Sequence, residues 1–261
     1  MTDFAHTTLR AVKKPTHRMG LALNFGLDAN GLNAAIDRGI TYFFFQKLKT
    51  GYAVPVLKQA FKANREKFIL AGGPSLAFFG GSVRRGCESL LKTFGTDYID
   101  VFQLFWLSKM SAWTPGTIEA LVKLKEEGKV RSIGVSIHDR PRAGKMAEDS
   151  PLDLFMLRYN AAHPGAEKDI FPHLEKRKPS VVAYTATSWR KLLTAPKGWT
   201  GPTMTAGDCY RFCLSNPNVD VVLMGPSNQQ QLDENLKALD KGPLSDDELK
   251  WMREYGRLAH G

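Results

Sequence analysis

Eight short runs of β-branched and aromatic residues, each followed by a stretch with helical period, order this chain from one end to the other. The runs are Met19–Leu23, Ile40–Phe45, Phe68–Ala71, Ile99–Leu104, Ser132–Ser136, Leu154–Tyr159, Ser180–Tyr184 and Val219–Met224. Helical patterns lie between them at Ala29–Arg38, Val54–Asn64, Val83–Phe94, Pro115–Glu127, Glu167–Arg177, Ala206–Leu214 and Gln229–Leu239. Gly39, Gly95 and Gly128 each follow a helical stretch, where a left-handed residue ends a helix at least cost. Ser245 with Glu248 three residues on forms a capping box that opens a last helix. Parallel strands need a crossover rather than a tight turn, so repeated strand–helix units build a parallel sheet with helices outside, and eight of them close into a barrel. The predicted fold is α/β, a single (β/α)8 TIM barrel with a C-terminal helix, covering residues 1–261 as one domain. An open doubly wound sheet is the alternative, but no Gly-x-Gly-x-x-Gly turn follows the first strand.

Composition narrows the function classes. No apolar run approaches the roughly 20 residues of a membrane helix, and the opening residues lack a signal peptide's apolar stretch, so a cytoplasmic protein is expected. Cys87, Cys209 and Cys213 cannot all pair and match no common zinc spacing; they read as buried small hydrophobes, and no metal is expected. The net charge of +10 is spread along the chain without a basic stripe, which argues against a nucleic-acid partner and leaves only a weak steering of anionic ligands. The expected partner is a small-molecule substrate or ligand, with no membrane and no nucleic acid.

Three separated segments carry a resemblance. Ser89-Leu90-Leu91-Lys92-Thr93-Phe94-Gly95-Thr96-Asp97-Tyr98-Ile99-Asp100, Gly128-Lys129-Val130-Arg131-Ser132-Ile133-Gly134-Val135-Ser136 and Gly225-Pro226-Ser227-Asn228-Gln229-Gln230-Gln231-Leu232-Asp233-Glu234-Asn235-Leu236 are similar, in order and spacing, to segments of the aldo-keto reductases. The resemblance implies an NADP(H)- or NAD(H)-dependent oxidoreductase acting on a small carbonyl or alcohol. It places the adenine end of the cofactor at Gly225, Ser227, Gln231, Glu234 and Asn235, the carboxamide at Ser136, and the nicotinamide ring against Tyr184. The last turn also stands on its own chemistry, since a strand end leading into a helix N-terminus offers free N–H groups to an anion.

The residues that perform carbonyl reduction in that family are another matter. Mapped on the surrounding pattern, its Asp falls on Phe44, its Lys on Gly72 and its His on Phe105. Its Tyr falls on Lys49 or Thr50, with Tyr52 two or three positions late. Phe43, Phe44, Phe45, Phe105 and Trp106 would set a cluster of rings at or near the mouth, with Phe43 and Phe45 equally readable as core. The carboxamide-binding Asn and Gln fall on Ile137 and Met156, and no Lys or Arg stands where a 2′-phosphate would be clamped. Polar groups remain at the ends of the fifth and sixth strands: His138, Arg158, Tyr159, Asn160 and His163, with Arg190 beyond.

Three readings follow. In a divergent reductase, Tyr52 is a displaced proton donor whose pKa Lys47 or Lys49 lowers by its charge. In a pseudoenzyme, the barrel binds a dinucleotide or small ligand without turnover. In a non-redox enzyme, His138 or His163 acts as acid or base.

Overall fold

The computed structural model describes residues 3–260, so residues 1, 2 and 261 of the expected domain lie outside the described residues. An antiparallel hairpin comes first, β1 (His6–Leu9) on β2 (Lys14–His17). Eight parallel strands then close a barrel: β3 (Met19–Ala22), β4 (Tyr42–Phe45), β5 (Ile69–Gly72), β6 (Ile99–Leu104), β7 (Val130–Ser136), β8 (Leu154–Arg158), β9 (Ser180–Tyr184) and β10 (Val221–Met224). Neighbours follow chain order, and β10 returns to β3 with Val222 opposite Met19. Outside lie α1 (Ala29–Asp37), α2 (Ala53–Asn64), α3 (Gly80–Phe94), α4 (Pro115–Glu126), α5 (Arg140–Glu148), α6 (Ala166–Asp169), α7 (Ala206–Ser215), α8 (Gln229–Ala238) and α9 (Asp246–His260).

The expected (β/α)8 barrel is therefore present, with each strand within a few residues of its predicted place. Gly39, Gly95 and Gly128 all have positive φ, and Ser245 and Glu248 exchange the expected capping bonds. Three features differ from the reading of the sequence. The hairpin β1–β2 was not expected. Nor was α5, whose buried face of Ala143, Gly144, Met146 and Ala147 is too small-sided to register as an apolar stripe. The helix expected over Glu167–Arg177 stops at Asp169 and resumes as a short 3₁₀ turn over Phe171–Leu174, because Pro172 has no N–H to continue the ladder.

Strand alternation divides the apolar residues into two cores. Ala22, Tyr42, Phe44, Ile69, Ala71, Val101, Phe105, Leu154, Met156, Val182, Val221 and Leu223 fill the lumen. Their chain neighbours, among them Phe43, Phe45, Leu70 and Phe102, pack outward under the helices. At the N-terminal ends of the strands, Leu9, Ala11 and Val12 of the hairpin close the lumen. Asp100, fully buried beneath the hairpin, accepts from Arg65 Nη2 at 2.7 Å, Lys14 Nζ at 2.8 Å and the Leu70 amide at 2.9 Å. Asp220 ties Arg10 at 2.8 Å and the Val181 amide at 2.8 Å in the same way.

His17 is the hairpin's acid-sensitive point. Its Nδ1 accepts from the Met19 amide at 3.0 Å, which requires that nitrogen to be unprotonated. Burial, aided by the nearby His6 ring, pushes the His17 pKa down from 6.5 to about 4. An unfolded chain therefore takes up this proton first, so the contribution of His17 is intact above pH 6.5 and is lost as pH falls toward 4. The loss should reach about 3 kcal/mol. Urea unfolding of the parent and of His17→Asn across that window should show a clearly flatter pH dependence in the variant.

Candidate functional site at the mouth of the barrel

The last inward-facing positions of the strands decide what the mouth can do. On β4 that position is Phe44, and just beyond β6 it is Phe105; both are buried, and their rings meet edge to face with centroids 5.6 Å apart. On β5 the inward residues are Ile69 and Ala71; the strand ends at Gly72, and Gly73 follows it beside the Phe105 ring. Gly72 points outward, where a Cβ would meet Leu90 of α3 at 3.2 Å. A Cβ on Gly73 would lie 1.9 Å from the Gln103 carbonyl oxygen and 3.3 Å from the Phe105 ring. No side chain fits there without movement of the β6 backbone. Phe43 and Phe45 belong to the outer core, packed on Phe68 and Phe94, so the mouth cluster is smaller than expected.

Tyr52 precedes α2, and its hydroxyl donates to the Leu23 carbonyl at 2.7 Å. Burial pushes its pKa up to about 12, and the Asp28 carboxylate adds to the rise. The expected lowering by Lys47 or Lys49 does not occur: both lysines are exposed, and the charge acting on the phenol is negative. A phenol held this way is a poor proton donor at neutral pH.

Polar chemistry gathers on the other side of the mouth. Tyr184 at the end of β9 shares a hydrogen bond with His138 Nε2 at 3.0 Å, and Trp106 stands over the same imidazole at 5.7 Å. Burial raises the Tyr184 pKa, with Ser136 and Arg158 opposing it. Burial lowers that of His138, with Arg158 adding to the effect. Arg158 lies beside Tyr184 in the ladder, in the inward series of Leu154 and Met156, and its guanidinium has no ion-pair or hydrogen-bond partner among the described residues. Ser136, His138, Arg158 and Tyr184 are thus brought together.

His163 is held elsewhere. Its Nδ1 lies 3.2 Å from Asn160 Oδ1 and its ring packs on His260 of α9; burial, with Arg158 and His260, lowers its pKa to about 4. Asn160 donates to the Thr185 carbonyl and accepts from the Ala162 and His163 amides, so its side chain is committed to shaping the loop. Tyr159 is buried, with its hydroxyl on Glu167 and Asn216. Thr185, Ser188, Trp189 and Arg190 all take positive φ without being glycine, a costly backbone above the Tyr184 side of the mouth. Among the described residues, no group of three or more His, Cys, Asp or Glu could hold a metal ion.

At the remaining corner, β10 turns into α8. Asn228 caps the helix by accepting from the Gln231 amide, while Gln231 folds back so that its Oε1 accepts from the Ser227 amide at 2.9 Å. Residues 29–194 and 204–257 match the aldo/keto reductase family. The chain belongs to that family. It is 25% identical over 265 residues to the uncharacterised oxidoreductase YqkF of Bacillus subtilis, covering 86% of each chain. Its fold superposes on an aldo-keto reductase of Bacillus halodurans in its holo form, with a TM-score of 0.80, 20% identity and 96% and 95% of the two chains covered. A Klebsiella pneumoniae aldo-keto reductase in complex with NADPH gives a TM-score of 0.78 at 24% identity, with 96% and 95% covered.

Tested against the dinucleotide that the resemblance implies, the two ends of the expected seat fit unequally. At α8, Ser227, Gln231 and Glu234 are exposed, and the Ser227 amide is open to an anion once Gln231 swings away. Glu234 is held by Gln230, and Asn235 is buried. Phe25, which the sequence reading passed over, lies on Gly225, where any Cβ would strike its ring at 2.6 Å. Its signal was the adjoining Gly26, whose φ of +105° turns the loop beside Ser227. Of the positions where the resemblance places the nicotinamide, Ser136 and Tyr184 are polar, while Ile137 and Met156 are apolar and buried. Asn24, two residues past the inward Ala22, has a buried side-chain oxygen without a partner, which a bound donor would complete.

The two adjacent glycines make a direct test of the inward register. Gly73→Ala should lower stability by about 1–3 kcal/mol through overpacking against β6, while Gly72→Ala should cost distinctly less. Tyr52→Phe should cost about 1 kcal/mol by loss of its bond to Leu23. Thermal melts of the three variants, ranked against the parent, decide both points.

Proposed function

We propose that this chain is a ligand-binding member of the aldo/keto reductase family that does not reduce carbonyls through the family's proton relay. The observation that carries this reading is the contact of Phe44 with Phe105 over a Gly73 that has no room for a side chain. Three relay positions are filled or closed, and Tyr52 is bound to backbone with a raised pKa. The ligand proposed is a nicotinamide dinucleotide, NADP(H) or NAD(H). Ser227, Gln231 and Glu234 would hold its adenine end, and Tyr184 with Ser136 the ring. When bound, the dinucleotide would supply a hydride, but Phe44, Gly73 and Phe105 have no proton to pass to a carbonyl oxygen. Cytoplasmic residence is part of the same proposal; no helix among the described residues is long and apolar enough to cross a membrane.

One observation favours a second reading. Tyr184 and His138 form a hydrogen-bonded pair of titratable groups at the mouth, and a reductase that draws its proton from that pair would need none of the lost residues. A non-redox enzyme has less behind it, because His163 is turned toward Asn160 and His260 rather than joined to His138.

Titration of the purified protein with NADPH and NADH, followed by nucleotide fluorescence and tryptophan quenching, should show micromolar binding of at least one of them. Incubation of the loaded protein with a panel of small carbonyls, methylglyoxal included, should leave the nucleotide unoxidised. Turnover abolished by His138→Ala but indifferent to Tyr52→Phe would replace the first reading with the second. Absence of nucleotide binding at millimolar concentration would remove the dinucleotide from both.

A further inference from the structure

A cavity of about 520 Å³ lies away from α8 and Tyr184, between the start of α2 and the length of α3. Its size is that of a small-molecule site. On its other side α3 packs closely on α4, where a Cβ on Gly80 would sit 2.6 Å from the Gly116 carbonyl oxygen. On the side toward α2, α3 carries Ser82, Arg85, Ser89 and Thr93, one turn apart, where a helix seated on its neighbour would carry apolar residues.

The lining is asymmetric in charge. Lys47 and Arg85 both border the cavity, and no Asp or Glu does. Neither cation has an ion-pair or hydrogen-bond partner among the described residues, although Arg84, next to Arg85 in the chain, is paired with Glu127. The floor is apolar, formed by Phe45 and Leu90 of the outer core. Two unpaired cations above an apolar floor are complementary to a molecule with one greasy part and one negative head.

We propose that this cavity is a second binding site, for a small amphipathic anion whose apolar body, a ring or short chain, rests on Phe45 and Leu90 while its carboxylate or phosphate head is held by Lys47 and Arg85. The site shares no residue with the dinucleotide seat proposed above, although Thr50 and Gly73 of the β4–β5 flank border it. Lys47 comes from the β4–α2 loop and Arg85 from α3, so an occupant would tie together two elements that the cavity now separates.

The probes are 8-anilinonaphthalene-1-sulfonate, read by its fluorescence, and phenyl phosphate as competitor. Arg85→Glu should weaken phenyl phosphate by about tenfold or more, as expected for loss of a charge-assisted bond. Gly51 also lines the cavity, and a Cβ there meets nothing within 4 Å, so Gly51→Phe should fold normally and block the fluorescent probe. Melting curves and NADPH titrations should match the parent in both variants. Failure of phenyl phosphate to displace the probe at millimolar concentration, or equal displacement in the parent and both variants, overturns the proposal. Neither result touches the reading of the dinucleotide seat.

Discussion

Everything at the mouth of this barrel depends on the two-residue period of a closed parallel sheet. Each strand can present only alternate residues to the lumen, and closure removes any freedom to shift one strand against the rest. The lumen is thereby a stack of side chains with no slack, closed below by Leu9 of the hairpin and above by Phe44 and Phe105. Buried Asp100 fixes the lower end by joining the hairpin's Lys14 to Arg65 and to the backbone of β5. The upper layer is then the only one where chemistry and solvent meet.

That layer has two unlike halves. From β4 to β6 it presents Phe44, Gly73 and Phe105, which can pack but cannot exchange protons. From β7 to β9 it presents Ser136, His138, Arg158 and Tyr184, with an unpaired guanidinium among them. The barrel is that of the family, and the polar side of the mouth lies away from the strands on which the family's relay is expected. A ligand entering here meets aromatic edges on one flank and hydrogen-bond donors on the other.

Much of this was legible before any coordinates. The eight strands, the glycine stops at residues 39, 95 and 128 and the capping box at Ser245 are local signals, written in consecutive residues. The aromatic residues at positions 44 and 105 were legible too, because they sit at fixed distances from recognisable motifs. What the sequence hid is set by contacts between distant segments. The hairpin is too short and polar to announce itself, and α5 buries residues too small to leave a stripe. The raised pKa of Tyr52 comes from Leu23 and Asp28, which no spacing rule connects to it. Gly72 and Gly73 could have been told apart, since counting by twos from Ile69 selects Gly73.

The space denied at Gly73 has a meaning in time as well as in geometry. A side chain absent from a site can usually be supplied by one substitution. Here the space beside Gly73 is held by the carbonyl of Gln103 and the ring of Phe105, so a lysine placed there alone would meet backbone before it met any partner. An aspartate restored alone at position 44 would be a buried charge against an aromatic edge. Each first step back is worse than standing still. The packing behaves as a ratchet: a proton relay on this flank would need several substitutions at once, whereas the other flank already carries polar groups at its strand ends.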